Sequence, residues 1–191
     1  MTDLAERRGF DTDVYEPAED SALLAGVVVD AVRARDTVLD VGTGSGYLAG
    51  RVTDETDARA VGVDVNPHAC RRAHAEGVET VRGDRTTPFR DNCFDVVAFN
   101  PPYLPVDPEA EWDDWFETAI SGGADGRSVV EGFLDDVGRV LVPDGLVFLL
   151  VSTYTDPAAV VEYAGDRGFS AAALEDASFP GETLTVLKFW R

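Results

Sequence analysis

The sequence predicts an α/β fold: a mostly parallel sheet with helices on both faces, closed by a C-terminal antiparallel hairpin. Three observations predict it. Short apolar runs alternate with helical segments along the chain, the pattern of parallel strands joined by crossover helices. The first run, Val38–Val41, leads through Gly42-Thr43-Gly44-Ser45-Gly46 into a helix. The last two runs flank Pro180-Gly181 and suit one antiparallel pair. No internal repeat or low-complexity linker interrupts the 191 residues, so one domain, 1–191, with a substantial core is expected.

The elements follow in order. Pro17 with Glu19-Asp20 starts a helix through about Val32, since proline and acids suit a first turn. Thr37–Val41 is the first strand, and the glycine loop opens a short helix near Tyr47–Thr53. Ala60–Val65 is the second strand. Asn66 caps and Pro67 starts the next helix, through about Glu76, and Gly77 ends it. Val78–Arg82 and Phe94–Phe99 are the third and fourth strands. A long loop, Leu104–Ala124, precedes a helix near Arg127–Leu141. Pro143-Asp144-Gly145 reads as a turn into a strand at Leu146–Ser152, and a helix near Pro157–Arg167 follows. Ser170–Glu175 and Thr183–Trp190 form the final hairpin.

Composition narrows the class of function. Hydrophobic residues make up 45%, which places the chain among globular proteins. No apolar run approaches membrane-spanning length, and Met1–Arg8 has no apolar signal core, so a cytoplasmic location is expected. Acids outnumber bases 36 to 16, for a net charge of −20, and Lys188 is the single lysine. Acids spread evenly along a chain almost without lysine fit a halophilic protein, whose carboxylates keep its surface hydrated in a salt-saturated cytosol. A free-standing DNA binder is disfavoured, because the phosphate backbone calls for positive charge. Cys70, Cys93, His68 and His74 lack metal-ligand spacing, and no metal site is expected.

The most informative stretch is Asn100-Pro101-Pro102-Tyr103, at the end of the apolar run Phe94–Phe99. Two prolines fix φ and carry no N–H, so the corner offers carbonyl acceptors without competing donors. Asn100 adds a side-chain acceptor and Tyr103 a flat wall. Such a corner suits a planar –NH2 group: two acceptors hold its hydrogens while the nitrogen lone pair faces an electrophile. A proline-bounded turn with no chemistry is the bland alternative for this motif alone.

The glycine loop bears on that choice. The dinucleotide pattern Gly-x-Gly-x-x-Gly needs glycine at position 47, where Tyr47 stands, so a pyrophosphate loop is the weaker reading. Gly42, Gly44 and Gly46 allow backbone to approach a ligand closely. Asp64 ends the second strand, where a carboxylate can hold both ribose hydroxyls of a nucleoside. Asp40 precedes the glycines, in reach of a ligand ammonium or a bound water. Asp84, with Arg85 beside it, ends the third strand and could accept from an adenine amino group, or serve as a plain turn aspartate. A nucleoside that lacks phosphate and carries positive charge fits this set, and S-adenosylmethionine is such a ligand.

With these features in order, the chain resembles the seven-stranded, Rossmann-like S-adenosylmethionine-dependent methyltransferases. More narrowly, it resembles the HemK-like glutamine N5-methyltransferases of translation release factors, in their short eukaryotic and archaeal form. Val14-Tyr15-Glu16-Pro17-Ala18-Glu19-Asp20-Ser21 matches that family's N-terminal signature, and Ser21 stands where its cofactor-contacting hydroxyl residue lies. Phe99–Tyr103 matches the catalytic motif, Gly122–Arg127 resembles the glycine-rich loop, and Leu184–Phe189 resembles the last strand. The loop Glu109–Phe116, with Trp112 and Trp115, matches no pattern of the family.

The resemblance implies methyl transfer to the glutamine of a Gly-Gly-Gln motif in an archaeal-type release factor. Asn100, Pro101, Pro102 and Tyr103 would be catalytic. Ser21, Asp40, Gly42, Gly44, Gly46, Asp64, Asp84, Arg85 and Asn100 would hold the cofactor. Asn-Pro-Pro-Tyr is shared with amino-methylating enzymes of adenine and cytosine. Adenine N6 in nucleic acid therefore stays open as a substrate, protein lysine is a weaker third, and a catalytically silent cofactor-binding scaffold is the rival of another class. The family also implies a small zinc-binding activator protein as heterodimer partner. Its expected place is the edge strand 78–82, beside apolar surface from Val61, Val63 and Val65.

Overall fold

The computed structural model describes Val14, residues 16–103 and residues 126–191. Tyr15, the loop 104–124 with Trp112 and Trp115, and residues 122–125 of the glycine-rich loop lie outside the described residues.

Near-continuous apolar runs become central strands because helices cover both of their faces. Strands β1 (Thr37–Val41), β4 (Phe94–Phe99) and β5 (Leu141–Ser152) are of this kind. With β2 (Arg59–Asp64), β3 (Glu79–Arg82), β6 (Ser170–Phe179) and β7 (Glu182–Trp190) they form a seven-stranded sheet in the order β3-β2-β1-β4-β5-β7-β6. The pairs from β3 to β5 are parallel, while β7 is antiparallel to both β5 and β6.

The period of two along each strand divides the core into two layers. Val38, Val96, Ala98, Phe148 and Leu150 face one side. There they meet Leu24 and Val28 of α1 (Glu19–Ala31), Leu48 and Val52 of α2 (Tyr47–Glu55) and Ala73 of α3 (Pro67–Ala75). Leu39, Val41, Val97, Phe99, Val147 and Leu149 face the other side. That layer holds Phe133, Leu134 and Val137 of α4 (Ser128–Val140) and Val160 of α5 (Pro157–Gly165). Asn66 caps α3 as its sequence suggests, its side chain accepting from the His68 N–H at 2.8 Å.

Two strand boundaries and one burial differ from expectation. Strand β5 begins at Leu141, because Leu141 already pairs with Phe94. The register then jumps to Val96–Leu146, so Pro143-Asp144-Gly145 is a bulge inside the strand and not a turn before it. Strand β6 continues past Glu175 to Phe179, since an edge strand exposes its acids to water at little cost. Val63 is fully buried in the α4–α5 layer and contributes no surface at the β3 edge.

The order of strands sets the position of the site. The chain runs outward from β1 through β2 to β3, then returns to place β4 on the other side of β1. A crevice opens at such a reversal, outside the C-terminal ends of the two strands. Val41 pairs with Phe99, so the glycine loop after β1 and Asn100 after β4 leave the sheet at one level.

Candidate active site

A cleft of about 440 Å³ occupies that crevice. Of the sequence-predicted residues, Ser21, Asp40, Gly42, Gly44, Asp64, Asp84, Arg85, Asn100, Pro101, Pro102 and Tyr103 all line it. Gly46 does not: a Cβ there would lie 3.0 Å from both the Ala73 Cβ and a Val78 methyl. Glycine at 46 thus lets the loop pack against α3 and the entry to β3, while Gly42 and Gly44 (φ 63° and 54°) curl the backbone around the cleft.

Asp64 projects from the end of β2, with one carboxylate oxygen tied to each flanking loop. Oδ2 accepts from the Gly44 N–H at 3.0 Å and Oδ1 from the Asn66 N–H at 2.8 Å. Each oxygen keeps a lone pair, so the group can still receive two hydroxyls on the cleft side. Burial raises its pKa above the usual carboxylate value, against the pull of those backbone donors.

Asp40 is buried on the α2 side of β1. Its Oδ2 accepts from the Thr43 hydroxyl at 2.7 Å and from the Ala49 N–H at 3.3 Å. Burial pushes its pKa up from 3.8 to about 7, with the Asp64 charge adding to the rise. Asp40 is buried and Asp64 half-buried, neither has a cationic partner among the described contacts, and the pair fits a ligand with hydroxyls and a positive charge. Asp84 is less committed. Both its oxygens receive the Arg85 guanidinium at 3.0 Å, a half-exposed ion pair on the cleft rim.

Asn100 carries the clearest chemical signal. Its Nδ2 donates to Asp20 Oδ2 at 3.2 Å. Its Oδ1 is buried and has no hydrogen-bond partner among the described residues. An unpaired buried acceptor costs about 1–3 kcal/mol, so such groups are kept where a ligand supplies the donor. Tyr103 lines the same cleft, and a Cβ on Gly126 would lie 2.7 Å from the Tyr103 carbonyl oxygen. Glycine at 126 therefore lets the end of the glycine-rich loop lie directly on this corner.

Sequence reasoning missed Asp20 and Thr43. In sequence Asp20 reads as a first-turn acid of α1, and its contact with Asn100 spans 80 positions, beyond any local pattern. Thr43 stands three residues after Asp40, a spacing that the loop turn brings into hydrogen-bond range.

A cleft at the β1/β4 reversal, lined by the glycine loop and strand-end carboxylates with an acceptor corner beside it, fits the methyltransferase class of α/β fold. The family described as a methyltransferase domain matches residues 38–123. A candidate protein N5-glutamine methyltransferase of Methanocaldococcus jannaschii is 32% identical, over 94% of this chain and 92% of its own. The human methyltransferase HEMK2 is 30% identical, over 95% of this chain and 92% of its own. Among solved structures, the Encephalitozoon cuniculi (E. cuniculi) Mtq2–Trm112 complex, responsible for methylation of the termination factor eRF1, superimposes with a TM-score of 0.79. That match is 30% identical and covers 94% of this chain and 99% of the other. The chain belongs to the protein N5-glutamine methyltransferase family. Among the described residues, no helix is long and apolar enough to cross a membrane.

The raised pKa of Asp40 gives a prediction in two parts. Below pH 3.8 the group is protonated whether folded or unfolded, and it costs nothing. As pH rises toward 7 the unfolded chain ionises first, so folding stability falls, and above 7 the full burial cost remains, on the order of 4 kcal/mol. Asp40→Asn keeps an oxygen for Thr43 and Ala49 without the charge. It should melt several degrees higher than wild type at pH 8 and equally at pH 4. A melt at pH 8 at or below wild type would contradict the assignment.

Proposed function

We propose that the chain transfers the methyl group of S-adenosylmethionine to the side-chain amide nitrogen of the glutamine in the Gly-Gly-Gln motif of a translation release factor. The orphaned, buried Asn100 Oδ1 is the observation that carries this reading. It calls for a donor, and a primary amide brings two. Membership in the N5-glutamine family and the likeness to a complex that methylates eRF1 support the same acceptor.

The residues divide the work. Asp64 would hold the ribose hydroxyls and Asp40 would face the ammonium, while Ser21, Gly42 and Gly44 would line the cofactor's bed, with Asp84 and Arg85 at its adenine end; all of them line the cleft. When bound, S-adenosylmethionine supplies a methyl group on a cationic sulfur. Asn100 Oδ1 and the Pro101 carbonyl accept the two amide hydrogens, and Pro102 keeps the corner rigid. Tyr103 stacks on the amide plane. Held so, the amide nitrogen would turn its lone pair toward the donated methyl group, and the acceptors would stabilise positive charge growing on nitrogen. The nitrogen would take the methyl group from sulfur and afterwards lose a proton to water, so these residues would need to supply no base beforehand.

Incubation with labelled S-adenosylmethionine and either release factor or DNA tests this reading. Label should enter the release factor and not a variant with the motif glutamine replaced. Label in DNA adenine, or in lysine, would overturn it.

The partner belongs to the same proposal. Among the described residues strand β3 has a single neighbour, β2, so one row of its backbone groups is unpaired within the described sheet. Val61 and Val81 are only partly buried beside it, and Val65 is 36% exposed. A small zinc-binding activator adding a strand along β3 would pair that row and cover those valines. The chain expressed alone in high salt should then turn over release factor weakly, with activity rising on addition of the activator. Full activity from a stable monomer, unchanged by the activator, would refute it.

A further inference from the structure

Asp20 stands in the first turn of α1 and is 6% exposed. Its two oxygens serve different donors. Oδ1 accepts from the Ser21 N–H at 2.7 Å and from the Ser21 hydroxyl at 3.3 Å. Oδ2 accepts from Asn100 Nδ2 at 3.2 Å. A carboxylate only accepts, so the NH2 end of Asn100 must face it and the oxygen end must face the other way. That other direction is where Asn100 Oδ1 lies buried and unpartnered among the described residues.

We propose that Asp20 is a positioning residue that sets the polarity of the acceptor site, and through it the choice of glutamine over glutamate. An asparagine amide has nearly the same shape either way round, and a half-turn about its last bond exchanges acceptor for donor. Asp20 removes that freedom. With oxygen presented, the site bonds an amide NH2 and meets a glutamate carboxylate oxygen to oxygen. A site built to bond a particular donor rejects an analogue lacking it by large factors, since its buried acceptor is then left unpaired. This inference rests on reading Asn100 Oδ1 as the acceptor for the substrate amide.

Asp20→Asn is nearly isosteric and makes the sharpest test. The Ser21 N–H still demands an oxygen, so the new amide turns its oxygen there and its NH2 toward Asn100. Two donors then face each other, and Asn100 flips, presenting Nδ2 to the substrate. Turnover on release factor should fall by about 10²–10³-fold, the scale for one preorganised polar contact. Asn100→Asp alone should also fail, because two carboxylates would face each other. The exchange variant Asp20→Asn/Asn100→Asp restores a donor facing a carboxylate and an oxygen facing the cleft. It should recover at least tenfold over either single variant, which a merely structural role for Asp20 would not produce.

The orientation is also read without turnover. In wild type the Asn100 side-chain amide protons are shielded by Asp20; in Asp20→Asn they face the cleft, and NMR should show exchange with solvent at least tenfold faster. Unchanged exchange, wild-type turnover by Asp20→Asn, or an exchange variant no better than the singles would each overturn the inference. Wild-type protein that never labels release factor would instead overturn the proposed function, and the proton-exchange measurement would still decide the role of Asp20.

Discussion

Asn100→Ala is expected to bind S-adenosylmethionine within a few-fold of wild type and to lose about 10²–10³-fold in turnover. The separation follows from what the side chain touches. Its Nδ2 is spent on Asp20, and its Oδ1 has no partner among the described residues, so no described contact uses it to hold the folded chain together. In the free protein the orphaned oxygen is a cost, of about 1–3 kcal/mol. Alanine removes that cost but leaves Asp20 Oδ2 without its Asn100 donor, and the two changes offset. The melting temperature should therefore move by only a few degrees. Calorimetry with the cofactor and single-turnover kinetics with release factor check the two halves. Near-wild-type turnover by the purified variant would sink the orienting role.

Much of this arrangement was legible before the structure, and the legible part has a physical reason. Strands β1 and β4 are apolar almost throughout because helices bury both faces, so their ends could be located to the residue. Polar residues there, Asp40 and Asn100, then stand out, as does Asp64 at the end of β2, and all three line the cleft. What was not legible depends on contacts made across the fold. Gly46 has the same local pattern as Gly42 and Gly44, and only the position of Ala73 and Val78 turns it away from the cleft. Val63 shares a strand face with Val61 and Val65, and its sequence position does not show that the α4–α5 layer covers it. Asp20 looks like any acid in a first helical turn until the sheet brings Asn100 to it. The bulge in β5 escaped because Pro143-Asp144-Gly145 carries a turn signature, and a bulge uses the same backbone freedom.

Asp64→Ala should show the largest loss of cofactor affinity of any single substitution in the cleft. Two hydroxyl contacts to a charged acceptor disappear, each worth roughly 1.5–3 kcal/mol. The dissociation constant should rise by about 10²-fold or more, since 1.4 kcal/mol is a factor of ten. The same carboxylate tethers the Gly44 and Asn66 N–H groups, so alanine also frees both flanking loops. Against that stands the burial that raises its pKa: removing a carboxylate that resists ionisation returns stability to the ligand-free fold. These terms oppose each other in the free protein and act together in the complex. The ligand-free melting temperature should thus change little, while the rise that saturating S-adenosylmethionine gives the wild type should nearly vanish, because that rise scales with the logarithm of ligand concentration over dissociation constant. Calorimetric titration of both proteins side by side in one buffer gives the direct measure. Unchanged affinity would mean that the end of β2 does not hold the ribose, and the cofactor's place in the crevice would have to be redrawn.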